Sequence, residues 1–235
     1  RSPPSSSSSP SRHSSACRGW WKGLPMLVLD RLTYAHPGQG DPYVFSMEAA
    51  PGAITAVSGP SGSGKSTLLD LIAGFLAPAS GSLTLDGRDL LPLPPEKRPI
   101  SLLLQSESLF EHLSAERNVG LGLPPGTPDA AGRIAHALAE AGLTDIGRQR
   151  ASTLSGGQKQ RVALARTLLR DRKVLLLDEP FSALDDETRK VIRALVRELT
   201  ERHRWITLLV SHYRDDVEAL ASRRYAIVER RLEAA

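Results

Sequence analysis

The chain has 235 residues, 40% of them hydrophobic, which suits one large domain or two small ones with a packed core. Its formal charge of +4 is matched by the four basic residues of 1–25 (Arg1, Arg12, Arg18, Lys22), which face no acid there; the rest balances and argues against a basic nucleic-acid surface. One cysteine, Cys17, excludes an intrachain disulfide, and no run of about 18 apolar residues is present to span a bilayer.

Residues 1–25 read as a disordered low-complexity leader. The serines at 5–9 with flanking prolines cannot build a core. Met26 opens the first strand-like run, so the natural start is expected at or near it, with the leader as upstream read-through or a non-native remnant. An acid-free segment carrying Arg and Ser also admits a targeting peptide, although it has no convincing apolar or amphipathic stretch.

From Met26 onward, short β-rich runs alternate with helical ones. Strands are expected at 26–32, 43–49 and 53–58, a helix at 65–75, and strands at 82–85 and 100–104. Residues 106–153 change character: a Pro124-Pro125-Gly126 loop leads to a helix over 129–141, with Thr127 as its cap and Pro128 at its first position. A helix over 155–169 and a buried strand at 174–177 follow. Asp185 caps a helix through residue 203 whose Val191, Ile192, Leu195, Val196 and Leu199 share a face. A strand at 206–210, a short helix from Asp215 and a strand at 225–228 close the chain. This alternation predicts an α/β fold with a mainly parallel sheet and helices on both faces.

Gly59-Pro60-Ser61-Gly62-Ser63-Gly64-Lys65-Ser66-Thr67 fits the G-x-x-x-x-G-K-[ST] phosphate loop, with the required strand before it and helix after it. Glycines let backbone N–H groups wrap a polyphosphate, and the helix start aims its positive end at the same anion. Lys65 adds a full charge near the β- and γ-phosphates, and the Ser66 hydroxyl is suited to Mg²⁺. The competing reading, a chance Gly/Ser-rich turn, is at odds with that context. At the end of the apolar run 174–177, Asp178 is placed to hold Mg²⁺ through water and Glu179 to accept a proton from an attacking water. Taken alone, Asp178-Glu179-Pro180 could equally be an exit turn.

Leu154-Ser155-Gly156-Gly157-Gln158-Lys159-Gln160-Arg161 sets a second Gly pair at a helix N-terminus. Alone it reads as a helix cap, but it resembles the signature motif of ABC ATPases. Four more stretches fall in that family's order. Gln105 resembles the glutamine loop, and Ser182-Ala183-Leu184-Asp185 the loop that crosses the dimer interface. His212 resembles the switch histidine, and Tyr34 the aromatic ring set against adenine. The resemblance covers 26–235. It implies a P-loop NTPase core (26–105 and 154–235) with N-terminal antiparallel β elements and an inserted helical subdomain (106–153). It also implies a homodimer sandwiching two ATP with Mg²⁺, in which Ser155–Gly157 of one copy close over the γ-phosphate held by the other. Gln105 would sense Mg²⁺ and γ-phosphate beside a groove for a permease helix. A solute-binding protein would act through that permease, and the assembly would sit at the cytoplasmic face of a bacterial cell membrane.

Within the family, three stretches are similar to the ATPases of bacterial thiamine importers. They are Leu71 to Gly81, Pro94 to Ser101 and Asn118 to Leu123. Importers of iron, polyamines, molybdate or sulfate are the alternative. A DNA- or ribosome-acting ABC ATPase is remote, because the chain has neither a coiled-coil insertion nor a second cassette. A binder that does not hydrolyse is disfavoured by Glu179 and His212. Three departures stand out. Ser152-Thr153 precede the signature, Leu104 precedes Gln105, and the end, Val228-Glu229-Arg230-Arg231-Leu232, lacks the usual glycine, which implies truncation or a remodelled last hairpin.

Overall fold

A computed structural model describes residues 26–103, 109–170, 172–182 and 184–235; the expected leader and Gln105 lie outside the described residues. Ten strands form one sheet: β1 (Leu27–Tyr34), β2 (Tyr43–Ala49), β3 (Ala53–Ser58), β4 (Ser80–Leu85), β5 (Arg88–Asp89), β6 (Ile100–Leu103), β7 (Val174–Asp178), β8 (Ile206–Val210), β9 (Arg223–Val228) and β10 (Arg231–Ala234). Their order is β5-β4-β1-β2-β10-β9-β3-β8-β7-β6. The stretch β9-β3-β8-β7-β6 is parallel throughout, while β1, β2, β4 and β5 pair antiparallel, so the expected fold class holds.

Helices cover both faces of the parallel stretch. The helices among the described residues are α1 (Lys65–Ala73), α2 (Ala115–Gly120), α3 (Ala130–Glu140), α4 (Gly156–Leu169), α5 (Asp186–Arg202) and α6 (Arg214–Leu220), of which α2 and α3 pack chiefly on α4. None of the helices among the described residues is long and apolar enough to cross a membrane. β7 explains the unbroken Val-Leu-Leu-Leu run. Val174 and Leu176 pack into a cluster with Leu68, Leu71 and Ile72 of α1, whereas Leu175 and Leu177 pack into one with Val162 and Leu164 of α4 and Ile192 and Val196 of α5. A strand buried on both faces needs apolar residues at every position. Each fully buried Leu or Val contributes about 1.5–3 kcal/mol relative to exposure.

The structure corrects several expected boundaries. α3 is capped by Asp129, whose carboxylate accepts from Gly132 N at 3.3 Å, while the Thr127 hydroxyl instead donates to the Pro124 carbonyl at 2.7 Å. α1 stops at Ala73 because Gly74 adopts φ 93°. In α5 the buried stripe is Ile192, Val196, Leu199 and Thr200; Val191, one position off that stripe, is 55% exposed. The last strand starts at Arg223 rather than 225, and β10 returns beside it through Glu229 and Arg230, at φ 45° and 64°. Both turn residues are left-handed, as a two-residue hairpin of this hand requires, without the glycine that favours it. The expectation of a remodelled last hairpin takes this form.

Two stretches that carry the narrower resemblance meet in space. Arg98, 3% exposed, donates to the Leu71 and Ile72 carbonyls at 2.8 and 2.7 Å and to the Leu93 carbonyl at 2.9 Å. It satisfies the open C-terminal end of α1, where a cation is favoured. A Cβ on Gly74 would lie 2.7 Å from the Arg98 guanidinium carbon, so the glycine makes room for it.

Candidate functional site

The site lies outside the carboxyl ends of β3, β8 and β7, adjacent strands of the parallel sheet, where ligands of open α/β sheets bind. A cavity of about 400 Å³ there is lined by Ser61, Gly62, Gly64, Lys65, Ser66 and Thr67 from the β3–α1 segment, by Asp178 and Glu179 from β7, and by His36 and Tyr43. Gly64 is the N-cap of α1 at φ 107° and offers no capping side chain. A Cβ at Gly64 would meet the Tyr43 ring at 2.3 Å, so glycine is required both for its backbone angle and for the approach of that ring. The first N–H groups of α1 therefore face the cavity without a side-chain cap, and the buried Ser63 hydroxyl has no hydrogen-bond partner among the described residues. Lys65 Nζ bridges the Gly59 and Pro60 carbonyls, 2.9 Å from each, curling its charge back over the loop. A loop with open donors and a pinned cation fits a polyphosphate.

Asp178 pairs with Val210 across β7 and β8, and Glu179 N extends the ladder to the Val210 carbonyl at 2.9 Å. Burial holds the Asp178 carboxyl above its ordinary pKa; Glu179 and Asp70 push it the same way, and Lys65 opposes them. Glu179 sits at φ 50°, a conformation that costs a non-glycine residue roughly 1 kcal/mol or more. Its Oε2 is buried, and His212 Nδ1 approaches it to 2.5 Å. The donor set suits Mg²⁺, which takes one or two protein oxygens and leaves other positions to water and phosphate. Ser66 and Asp178 line the cavity together, and among the described residues no cluster of three or more His, Cys, Asp or Glu forms a cage for a metal.

The remaining expected residues lie elsewhere. Tyr34 is half-buried and one ring back from the cavity, edge-on to His36 with centroids 4.9 Å apart. Ser155 and Gln158 form a capping box: Ser155 N donates to Gln158 Oε1 at 2.9 Å, and Gln158 N donates to Ser155 Oγ at 3.2 Å. The helix cap that the sequence allows is therefore present, with Ser155 and Gly156 exposed at its tip. Gly157 faces inward, where a Cβ would lie 2.3 Å from Thr188 Cγ2 of α5. Asp185 caps α5, accepting from Thr188 N at 2.9 Å, and that hydrogen bond is the first of the influences that lower its pKa.

Three supports of this region were not readable from motifs. Asp216, 1% exposed, accepts from Arg193 Nε at 2.6 Å and from the Ser211 hydroxyl at 3.1 Å. The Ser211 hydroxyl in turn receives Tyr213 N at 3.1 Å, fixing the backbone on both sides of His212. Asn118, fully buried, holds the loop before α2: its Oδ1 accepts from Phe110 N at 2.8 Å, and its Nδ2 donates to the Phe110 and Ser114 carbonyls, both at 3.1 Å. His36 joins the cavity through Thr67. A signal existed for Asn118, a polar residue in a helical apolar stretch, but the other two depend on long-range pairing.

Comparisons with known proteins find relatives in sequence and a likeness in fold. The thiamine import ATP-binding protein ThiQ of Escherichia coli (strain K12) is 47% identical over 211 residues, which span 88% of this chain and 90% of that protein. The protein of the same name from Yersinia pseudotuberculosis is 44% identical over 211 residues, spanning 88% and 89%. A chain of a metal-chelate type ABC transporter, solved in an inward-facing conformation, superposes with a TM-score of 0.78 at 24% identity, covering 90% of this chain and 83% of its own length, a likeness of fold. Residues 44–182 match the family model described as ABC transporter. On that match and those relatives, the chain belongs to the ABC transporter family of ATP-binding proteins.

Proposed function

We propose that this chain hydrolyses ATP to ADP and phosphate to power an importer, and that its cargo is thiamine or thiamine phosphates. The observation that carries the chemistry is the single cavity into which β3 and β7 deliver Lys65, Ser66, Asp178 and Glu179, with His212 of the β8–α6 loop at Glu179. The N-terminus of α1 and Lys65 bind the β- and γ-phosphates. Glu179 accepts the proton of the water that attacks the γ-phosphorus as ADP leaves, and His212, whose Nδ1 lies 2.5 Å from Oε2, holds that carboxylate in place. Ser66, Asp178 and Gln105 would hold Mg²⁺, which would neutralise charge on the phosphates. The relatives named as thiamine import proteins support the cargo; the ATPase need not touch it.

Two copies act together in this reading. Ser155 and Gly156, exposed at the tip of α4, close over the γ-phosphate held by the second copy, with Asp185 at the seam. ATP then binds the closed pair better than the open one, and hydrolysis lets it open. A groove of about 1050 Å³ between α2 and α3, with Leu121, Ile134 and Leu138 in its wall, receives a short helix of a membrane permease. The permease in turn receives cargo from a solute-binding protein, and the ATPase sits on the cytoplasmic face.

The test is uptake of labelled thiamine by cells lacking their own ATPase and supplied with this chain and its permease. The wild type restores uptake and Lys65→Ala does not. Uptake of another solute with none of thiamine would overturn the cargo while leaving the ATPase intact.

A further inference from the structure

The strands that carry Asp178 and His212 at one end hold a second cavity at the other. β7 and β8 are parallel and five residues long, so their N-terminal ends lie roughly 15 Å along the strands from the nucleotide cavity. There Arg172 and Lys173, which lead into β7, and His203, Arg204 and Trp205, which lead into β8, line a pocket of about 250 Å³ together with Asp86. The two leads lie side by side, because Ile206 N donates to the Lys173 carbonyl at 2.9 Å. Arg204 turns at φ 55° between α5 and β8. Its side chain lies along Gly52, where a Cβ would come within 3.0 Å of Nη1. Gly52 N donates to the Trp205 carbonyl at 2.7 Å and ties the β2–β3 turn to this corner. Trp205, 4% exposed, lends an apolar wall and stacks on the His203 ring at 5.2 Å.

The charges of this pocket do not balance among the described residues. Lys173 Nζ meets Asp86 Oδ2 at 3.0 Å and so takes the one carboxylate in the lining. His203 Nε2 turns to Glu140 Oε1, 3.3 Å away. Arg172 and Arg204 form no ion pair among the described residues, and Arg172 Nε is buried without a hydrogen-bond partner among them. A buried guanidinium N–H without an acceptor costs free energy, which an acceptor from outside the chain removes. The geometry points to this pocket as a binding site for a phosphate-class oxyanion, held between Arg172 and Arg204 with Lys173 beside them. Two unpaired guanidinium groups match a dianion, whereas a monocarboxylate would leave one of them unmatched. Guanidinium forks also suit phosphate oxygens in geometry. The pocket is smaller than the roughly 300–1,000 Å³ of sites for drug-sized ligands, so it suits a small anion rather than a nucleotide. It is separate from the phosphate loop and does not depend on the ATPase reading.

The experiment follows the Trp205 indole N–H in proton–nitrogen correlation spectra of the full chain. Sodium phosphate replaces sodium chloride at fixed ionic strength and about pH 8, where phosphate is a dianion. Trp205→Phe assigns the signal among the three tryptophans of the chain. In the wild type that signal should shift and saturate. Arg172→Gln and Arg204→Gln should each weaken the fitted phosphate affinity about tenfold, as expected for one lost charge-assisted contact. Arg172→Lys keeps the charge without the fork and should fall between wild type and Arg172→Gln. Arg204 is exposed, so its variant decides the matter even where Arg172→Gln fails to fold. A Trp205 signal that stays still up to about 20 mM phosphate overturns the proposal. So does one that saturates alike in wild type and the glutamine variants, which would place the anion elsewhere on the chain.

Discussion

The N-termini of α1 and α4 both end in Gly- and Ser-rich turns, yet they differ in how their first N–H groups are satisfied. α1 is capped by Gly64, which has no side chain to offer, so its donors stay open toward the cavity. α4 caps itself through the reciprocal Ser155–Gln158 pair. The first is preformed for an anion; the second must exchange hydrogen bonds when it meets one. An ATPase of the proposed kind needs that difference, because one half of the pocket must hold nucleotide in the lone subunit and the other must engage only when a second copy arrives.

The largest effect expected from breaking this contrast is at α1. Gly64→Ala forces a Cβ onto the Tyr43 ring at φ 107°, costing about 2–4 kcal/mol in thermal or urea unfolding and abolishing nucleotide binding. Lys65→Ala should abolish binding while leaving the unfolding midpoint nearly unchanged, separating loop shape from loop charge. At α4 the two neighbouring glycines should part in the same way. Gly157→Ala meets the stiff Thr188 side chain of α5 and should lose about 1–2 kcal/mol of stability. At Gly156 an added Cβ meets none of the described residues within 4 Å, so Gly156→Ala should unfold like the wild type and lose ATPase activity only where dimer closure is required.

A smaller effect is expected for Ser155→Ala, which removes one half of the capping box and should cost about 1 kcal/mol, with Ser155→Asp recovering most of it. Of similar size, at most about 1 kcal/mol, is the gain from Asp178→Asn in the nucleotide-free protein at neutral pH. The folded Asp178 carboxyl holds its proton more tightly than in the unfolded chain, mainly through burial. Its ionised form therefore costs stability once pH exceeds the raised pKa, and the cost disappears as pH falls through it. Unfolding midpoints of the two proteins should converge toward acid and diverge toward neutrality; a gap that widens toward acid contradicts the assignment.

The sequence exposed the parts of this molecule that local chemistry determines. β2, β3 and β8 were readable to the residue, because apolar runs between turns leave few alternatives, and the β3–α1 connection was readable because its glycines and Lys65 are contiguous. Burial of both β7 faces followed from its Val-Leu-Leu-Leu composition. Position within a helix was less secure: Val191 counts as apolar in a periodic stripe, yet the packing of α5 turns it outward, one residue from Ile192. What stayed hidden was pairing at a distance. Nothing local to Arg98 announces that Gly74 makes room for it, and nothing near Asp216 announces Arg193. Tyr34 was expected at the nucleotide, whereas the cavity is lined by His36 and Tyr43, because the loop after β1 folds the histidine back onto Thr67.

The most direct test of the account is the mass of Glu179→Gln in solution, measured by light scattering with Mg²⁺ and either ATP or ADP. The account predicts a stable dimer with ATP, which the variant binds without cleaving, and a monomer with ADP. A Glu179→Gln protein that binds ATP at one site per chain and remains monomeric would contradict it.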